Sequence, residues 1–342
     1  MIERPNAVID LGDNTSRFGT PPAALRVFAD AGPGDASEYP APDAGALRAA
    51  LAEVHGVPPA RVVTGCGSDD VIECAIRAFA REGERLAFAA PTFSMIPEFA
   101  RNQRMEAVPV PFLPDGAWPV DTLLAARPHV LYLCAPNNPT GHVPGGDLER
   151  LLACGAGLVI LDQAYAEFAG RMRIEAPEHP RLLVTRTLSK AYGLAGLRIG
   201  YGVASEAVIG RIGRVRGPYR IGRLAERAAV AALREDHGWA HAHVALARAA
   251  RAALSAALEA AGFRPHASEA NFVLLPLAGA AAVARRMLAL GVRVRAFTGL
   301  PGSGDALRIT VGPPPEMDAA LRALAAATGE AADAVALRRA DR

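Results

Sequence analysis

The chain has 342 residues, 51% of them hydrophobic and 21% charged, enough to bury a large core and to fold as one large and one smaller domain with a cleft between them. Its 37 basic and 35 acidic side chains leave a formal charge of +2, and no basic block is interleaved with aromatics, which argues against a nucleic-acid partner. Cys66, Cys74, Cys134 and Cys154 form no CxxC pair and no metal-ligand spacing, so they read as buried thiols in a reducing compartment; with no signal-peptide pattern and no apolar run of roughly 18 residues, the expectation is a cytoplasmic protein without metal or membrane span.

In chain order, residues 8–19 give a short apolar start and then an irregular polar loop, Gly12-Asp13-Asn14-Thr15-Ser16-Arg17-Phe18-Gly19. Pro21-Pro22 opens a helix through Phe28. Gly32-Pro33-Gly34-Asp35 reads as a chain break, and a helix follows over 44–55. From Arg61 onward short apolar strands alternate with amphipathic helices. The strands are expected at 61–64, 85–89, 107–110, 129–134, 157–161, 182–185 and 199–203. Such alternation implies βαβ units and a mostly parallel sheet covered by helices. Beyond Pro218 the chain turns helical over 224–234 and 239–261, where His241 and His243, two apart, read as surface residues. An α+β finish is expected from strands at 270–275, 292–296 and 306–311, helices at 280–290 and 315–327, and a frayed tail.

Four stretches carry chemistry. Gly65-Cys66-Gly67-Ser68-Asp69-Asp70 is a glycine turn between a strand and a helix. Free amides at a helix start favour anions, so it is a candidate phosphate cradle, although Ser68 also fits a plain N-cap. Asn137-Asn138-Pro139-Thr140-Gly141 follows the strand ending at Cys134, and ligands of parallel sheets bind at strand carboxyl ends. The strand Leu158-Val159-Ile160-Leu161 delivers Asp162 at its end, with Tyr165 three residues later. A buried carboxylate is costly without a partner, and a protonated ring nitrogen would be one. In the fourth stretch, Lys190 sits in the small, apolar, glycine-rich run Ser189-Lys190-Ala191-Tyr192-Gly193-Leu194-Ala195-Gly196-Leu197-Arg198. Desolvation lowers the pKa of such an amine and makes it a Schiff-base former.

These stretches, together with Leu307-Arg308-Ile309-Thr310-Val311-Gly312, resemble those of the fold-type I pyridoxal-phosphate aminotransferases, and most of all the histidinol-phosphate aminotransferase branch. The resemblance spans residues 11–327. It implies an α/β fold like that of aspartate aminotransferase, with a large domain (36–225) holding a mostly parallel seven-stranded sheet between helices. A small α+β domain would come from 1–35 and 226–342.

By the same resemblance the cofactor is pyridoxal 5′-phosphate. Lys190 forms the Schiff base and carries a proton between the substrate α-carbon and the cofactor C4′. Asp162 pairs with the ring nitrogen, Asn138 and Tyr165 bond the phenolic oxygen, and Phe93 stacks on the ring. Ser68, Asp69, Thr187 and Arg198 hold the phosphate with Ser189 nearby, and Tyr39 reaches it from the partner subunit of a homodimer. Arg308 and Asn138 meet the substrate, Arg308 at its carboxylate, and Arg295 takes a substrate phosphate. Where the branch reads Asn-Glu-Asn-Pro-Tyr-Gly, this chain has Asn14-Thr15-Ser16-Arg17-Phe18-Gly19: Phe18 lacks a hydroxyl, and Arg17 adds a cation at the substrate. The implied reaction moves an amino group from histidinol phosphate, or a related or aromatic amino acid, to a 2-oxo acid such as 2-oxoglutarate. The same residues would also suit a decarboxylase of the threonine-phosphate type, or a non-catalytic protein that keeps the fold.

Overall fold

The computed structural model describes residues 8–174 and 179–329. It opens with β1 (Ile9–Asp10), α1 (Pro22–Ala29), α2 (Pro33–Ser37) and α3 (Gly45–His55). The alternating region holds β2 (Val62–Cys66), α4 (Gly67–Phe79), β3 (Arg85–Ala90), α5 (Met95–Asn102), β4 (Glu106–Pro111), α6 (Val120–Ala125), β5 (Val130–Cys134), α7 (Leu148–Leu152), β6 (Leu158–Asp162), β7 (Leu182–Thr187) and β8 (Ile199–Ala204). The chain ends with α8 (Glu206–Val215), α9 (Arg223–Arg234), α10 (His237–Ala260), β9 (Phe272–Pro276), α11 (Ala280–Ala289), β10 (Val292–Arg293), β11 (Arg295–Leu300), β12 (Gly304–Thr310) and α12 (Pro314–Thr328). The tail expected to fray lies, from residue 330, outside the described residues.

The seven-stranded sheet has the order β2-β8-β7-β6-β5-β3-β4. Only β8 runs against its neighbours, and the remaining pairings are parallel. Both faces are covered, which is why β5 and β6 read as unbroken apolar runs. Successive residues nevertheless serve different cores, as the pleat demands. Val130, Tyr132 and Cys134 join Leu158 and Ile160 against α4 and α5. Leu131 and Leu133 join Val159 and Leu161 against α6 and α7.

Two smaller sheets sit apart, β11-β12-β9 (antiparallel) and β1-β10 (parallel). They replace the single strand expected at 292–296. Val292 and Val294 are both buried in one core, but Val292–Arg293 pairs with β1 and Arg295 begins the pairing with β12.

Other expectations also need correction. The Gly32–Asp35 break is the start of α2, where Pro33 at the first position loses no helical hydrogen bond. Residues 65–67 form no separate turn: β2 passes directly into α4 at Gly67, whose φ of +83° makes the corner. His243 is half-buried, stacked 3.7 Å from Trp239 and bonded through Nδ1 to the Trp239 carbonyl at 2.7 Å. All four cysteines are free, but Cys66 is exposed and Cys154 only partly covered. Among the described residues, no helix is long and apolar enough to cross a membrane.

A fully buried arginine ties the sheet to its loops. Arg186, on β7, donates to Gln163 Oε1 at 3.0 Å, to the carbonyls of Met172 and Arg173 at 3.0 and 2.8 Å, and to Glu167 at 3.4 Å. The turn after β6 is thereby fixed against the strand that leads to Lys190.

At Gly200 on β8 a Cβ would run into the backbone of Gly67 and Ser68, so sheet and helix touch through bare main chain. Gly200→Ala is expected to lower the unfolding free energy by about 1–3 kcal/mol, the usual range for overpacking, seen as a lower urea midpoint. An unchanged midpoint would show that α4 and β8 part freely.

Candidate active site

Parallel strands gather ligands at their carboxyl ends, and that edge is where the expected residues meet. Ser68 and Asp69 start α4, Phe93 follows β3, Asn138 follows β5, and Asp162 ends β6 with Tyr165 just beyond. Thr187 ends β7, Ser189 and Lys190 come next, and Arg198 precedes β8. All of them border one cavity of about 270 Å³. Its far wall carries Arg295 and Arg308, direct cross-strand partners on β11 and β12.

Asp162 is 4% exposed. Its Oδ2 accepts from the Tyr132 hydroxyl at 2.7 Å, and its Oδ1 accepts from Thr185 Oγ1 at 3.1 Å and the Ala164 amide at 3.2 Å. Burial still outweighs these donors and pushes the carboxyl up to about 6. The Lys190 amine is brought down to about 8, first by burial and then by the Arg308 charge. It donates to the Asp13 carbonyl at 3.0 Å and lies 5.8 Å from the centre of the Tyr165 ring. Burial pushes the Tyr165 phenol up to about 12, and its oxygen accepts from Asn14 Nδ2 at 3.0 Å. Arg308 donates to Asn138 Oδ1 at 2.6 Å and to the Gly12 carbonyl at 2.7 Å. Its Nε is buried without a partner among the described residues.

Three expected residues lie elsewhere in the chain's own fold. Tyr39 is 80% exposed and stacked on Tyr219 at 5.0 Å. Arg17 is no free cation for a substrate: its Nε and Nη2 grip the Glu316 carboxylate at 2.8 and 2.7 Å. Phe18 meets the edge of His243 at 6.4 Å. Arg17 and Phe18 border a much smaller pocket on another side of Lys190. Conversely, Asp13, Asn14, Thr92 and Phe297 line the main cavity, although no motif in the sequence marks them as site residues. For Asn14 the sequence shows only a polar loop; that the loop folds back onto Tyr165, 151 positions away, is long-range information. The sequence does mark one residue by composition: Lys190 is the only lysine among 342 residues, every other basic residue of the 37 being arginine.

The donor set fits a phosphorylated pyridine aldehyde. An amine, a buried carboxylate and an aromatic face, Phe93, surround one space. The anion cradle is the bare start of α4: a Cβ at Gly67 would fall 2.6 Å from the Arg198 guanidinium, which itself stands 3.6 Å from Asp69. Among the described residues no group of three or more His, Cys, Asp or Glu is placed to hold a metal ion.

Because Lys190 is the sole ε-amine, its titration can be followed by peptide mass spectrometry, which separates it from the α-amine that titrates at about 8. In the cofactor-free protein, labelling of the Lys190 peptide by an amine-directed reagent should rise through an inflection near 8. An inflection at the ordinary lysine value, about 10.4, would mean that the apolar wall does not desolvate it.

The profile described as aminotransferase class I and II matches residues 6–324. A histidinol-phosphate aminotransferase of Erythrobacter litoralis is 40% identical, covering 94% of this chain and 91% of the relative. One from Roseiflexus castenholzii is 39% identical, with 93% and 89% covered. The crystal structure of histidinol-phosphate aminotransferase from Sinorhizobium meliloti in complex with pyridoxal-5′-phosphate superposes with a TM-score of 0.83 at 27% identity, covering 94% of this chain and 91% of that one. Together with a cavity built around one lysine and one buried carboxylate, these likenesses establish the chain as a member of the class I and II aminotransferase family, an enzyme that works with pyridoxal phosphate.

Proposed function

We propose that this aminotransferase takes its amino group from histidinol phosphate, or from a closely related donor, and passes it to a 2-oxo acid such as 2-oxoglutarate. The observation that carries the reading is the cross-strand pair Arg295 and Arg308 on the cavity wall. Like charges set directly opposite are unfavourable, and a shared anion relieves them. A phosphate monoester with two negative charges suits both guanidinium groups, and a carboxylate suits the fork of one. The names carried by the relatives agree with such a donor.

In this reading Lys190 and Asp162, which border the same cavity, would hold the cofactor. Pyridoxal phosphate, when bound, supplies an aldehyde for amines and a protonated ring that draws electron density from the bond broken beside the amine. Lys190 anchors it and, once released, takes and returns a proton at the substrate carbon bearing the amine. Its lowered basicity makes more of the amine available in neutral form. Asp162 holds a proton on the ring nitrogen facing it. Asn138 and Tyr165 bond the phenolic oxygen; Tyr165 stays protonated because burial raises its pKa. Ser68, Asp69, Thr187, Ser189 and Arg198 form the phosphate end with the amides of α4, and Phe93 covers the ring.

Three further parts belong to this proposal. The large domain comprises residues 36–225, and the small one 1–35 and 226–342. The enzyme works as a cytoplasmic homodimer. Tyr39, exposed and away from its own cavity, reaches the partner's phosphate end.

Histidinol phosphate added to the holoenzyme should convert the bound cofactor to its aminated form, and 2-oxoglutarate should restore it. Carbon dioxide release from threonine phosphate, without any aminated cofactor, would overturn the transfer reading. Arg295→Gln should lower kcat/KM for the phosphorylated donor about tenfold, roughly 1.4 kcal/mol, and that for glutamate much less. Equal losses would remove Arg295 as the phosphate contact. Light scattering is expected to give twice the chain mass, and a monomer would sink the role of Tyr39.

A further inference from the structure

Behind the cavity, out of reach of any substrate, β5 places one side chain against the base of the site. Cys134 is paired with Asp162, and Asp162 in turn with Thr185, across β5, β6 and β7. Tyr132 stands two residues before Cys134, so it shares that face of the sheet. It is wholly buried among apolar side chains, including Phe88, Val130, Leu158 and Ile160. A phenylalanine would fill the same space. What tyrosine adds is a hydroxyl, which donates to Asp162 Oδ2 at 2.7 Å. Oδ1 has two donors, the Thr185 hydroxyl and the Ala164 amide; Oδ2 has Tyr132.

We propose that Tyr132 is a positioning residue for the reaction, fixing Asp162 by Oδ2 and withdrawing enough charge from the carboxylate to keep the shared proton on the cofactor's ring nitrogen. The inference rests on the reading of Asp162 as the partner of that nitrogen. A carboxylate with one bare oxygen is the stronger base and draws a shared proton toward itself. A short hydrogen bond to that oxygen weakens the pull and also locks the plane of the group. Removing the hydroxyl alone leaves the core packed but makes Asp162 both more basic and freer to turn.

The test uses Tyr132→Phe holoenzyme loaded with ring-¹⁵N-labelled pyridoxal phosphate. In the parent protein the ¹⁵N resonance is expected in the range of a protonated pyridine, and in Tyr132→Phe it should move toward the unprotonated range. Cofactor affinity, measured by equilibrium dialysis, should fall about tenfold, as for the loss of a hydrogen bond to a charged group. The same change made in an Asp162→Asn background should alter affinity by less than about twofold, since the partner charge is gone. A purely space-filling Tyr132 would give the same loss in both backgrounds, and that outcome, or an unmoved ¹⁵N resonance in Tyr132→Phe, would overturn the proposal. An unprotonated ring nitrogen in the parent would instead overturn the assignment of Asp162, and this inference with it.

Discussion

The carboxylate of Asp162 is buried with only neutral donors against it: a phenol, a hydroxyl and an amide. A lone buried charge is among the costliest things a fold can hold, and three hydrogen bonds offset only part of that cost, as the raised carboxyl pKa attests. Across the cavity the imbalance is reversed. Lys190, Arg295 and Arg308 border the same cavity; burial first and then the Arg308 charge depress the Lys190 amine, and burial first, with Arg295 adding to it, depresses Arg308. The site is thus a separated set of charges, negative at the floor and positive at the wall. A ligand with a cationic ring at one end and anions at the other completes both.

The fold maintains this separation through backbone as much as through side chains. The carbonyls of Gly12 and Asp13 take hydrogen bonds from Arg308 and Lys190, and the Asn14 side chain caps Tyr165. Asn14 is itself held by Thr310 and Asn271. An irregular stretch near the start of the chain therefore joins the carboxyl edge of the large sheet to the strand carrying Arg308. Arg186, beneath, does the corresponding work between β6 and β7.

Much of this was legible in the sequence. Unbroken apolar strands followed by Asp162 and by Asn137-Asn138-Pro139 announced a buried parallel sheet with polar groups at its carboxyl edge, because only a strand covered on both faces has that pattern. What sequence could not show was pairing over distance. Arg17 read as a spare cation, yet its partner Glu316 lies 299 residues away. Tyr132 read as one more apolar strand residue, and only the register of β5 against β6 puts its hydroxyl on Asp162. Val292 and Arg295 read as one strand because nothing local says that two different edges receive them.

The main-chain contact of Gly200 with Gly67 and Ser68 has an evolutionary reading. One end of the cavity is built where no side chain can be inserted, so the position of the anion cradle relative to Lys190 is a fixed reference from which drift is barred. Variation must then fall on the opposite side, above all in β11, where Arg295 and Phe297 face the cavity and no backbone bars a change of size or charge. In the loop from Asp13 to Phe18 a change at Asn14 or Arg17 must be matched at Tyr165 or Glu316. A lineage adopting a new amino donor would be expected to rewrite those two segments while leaving the glycines untouched.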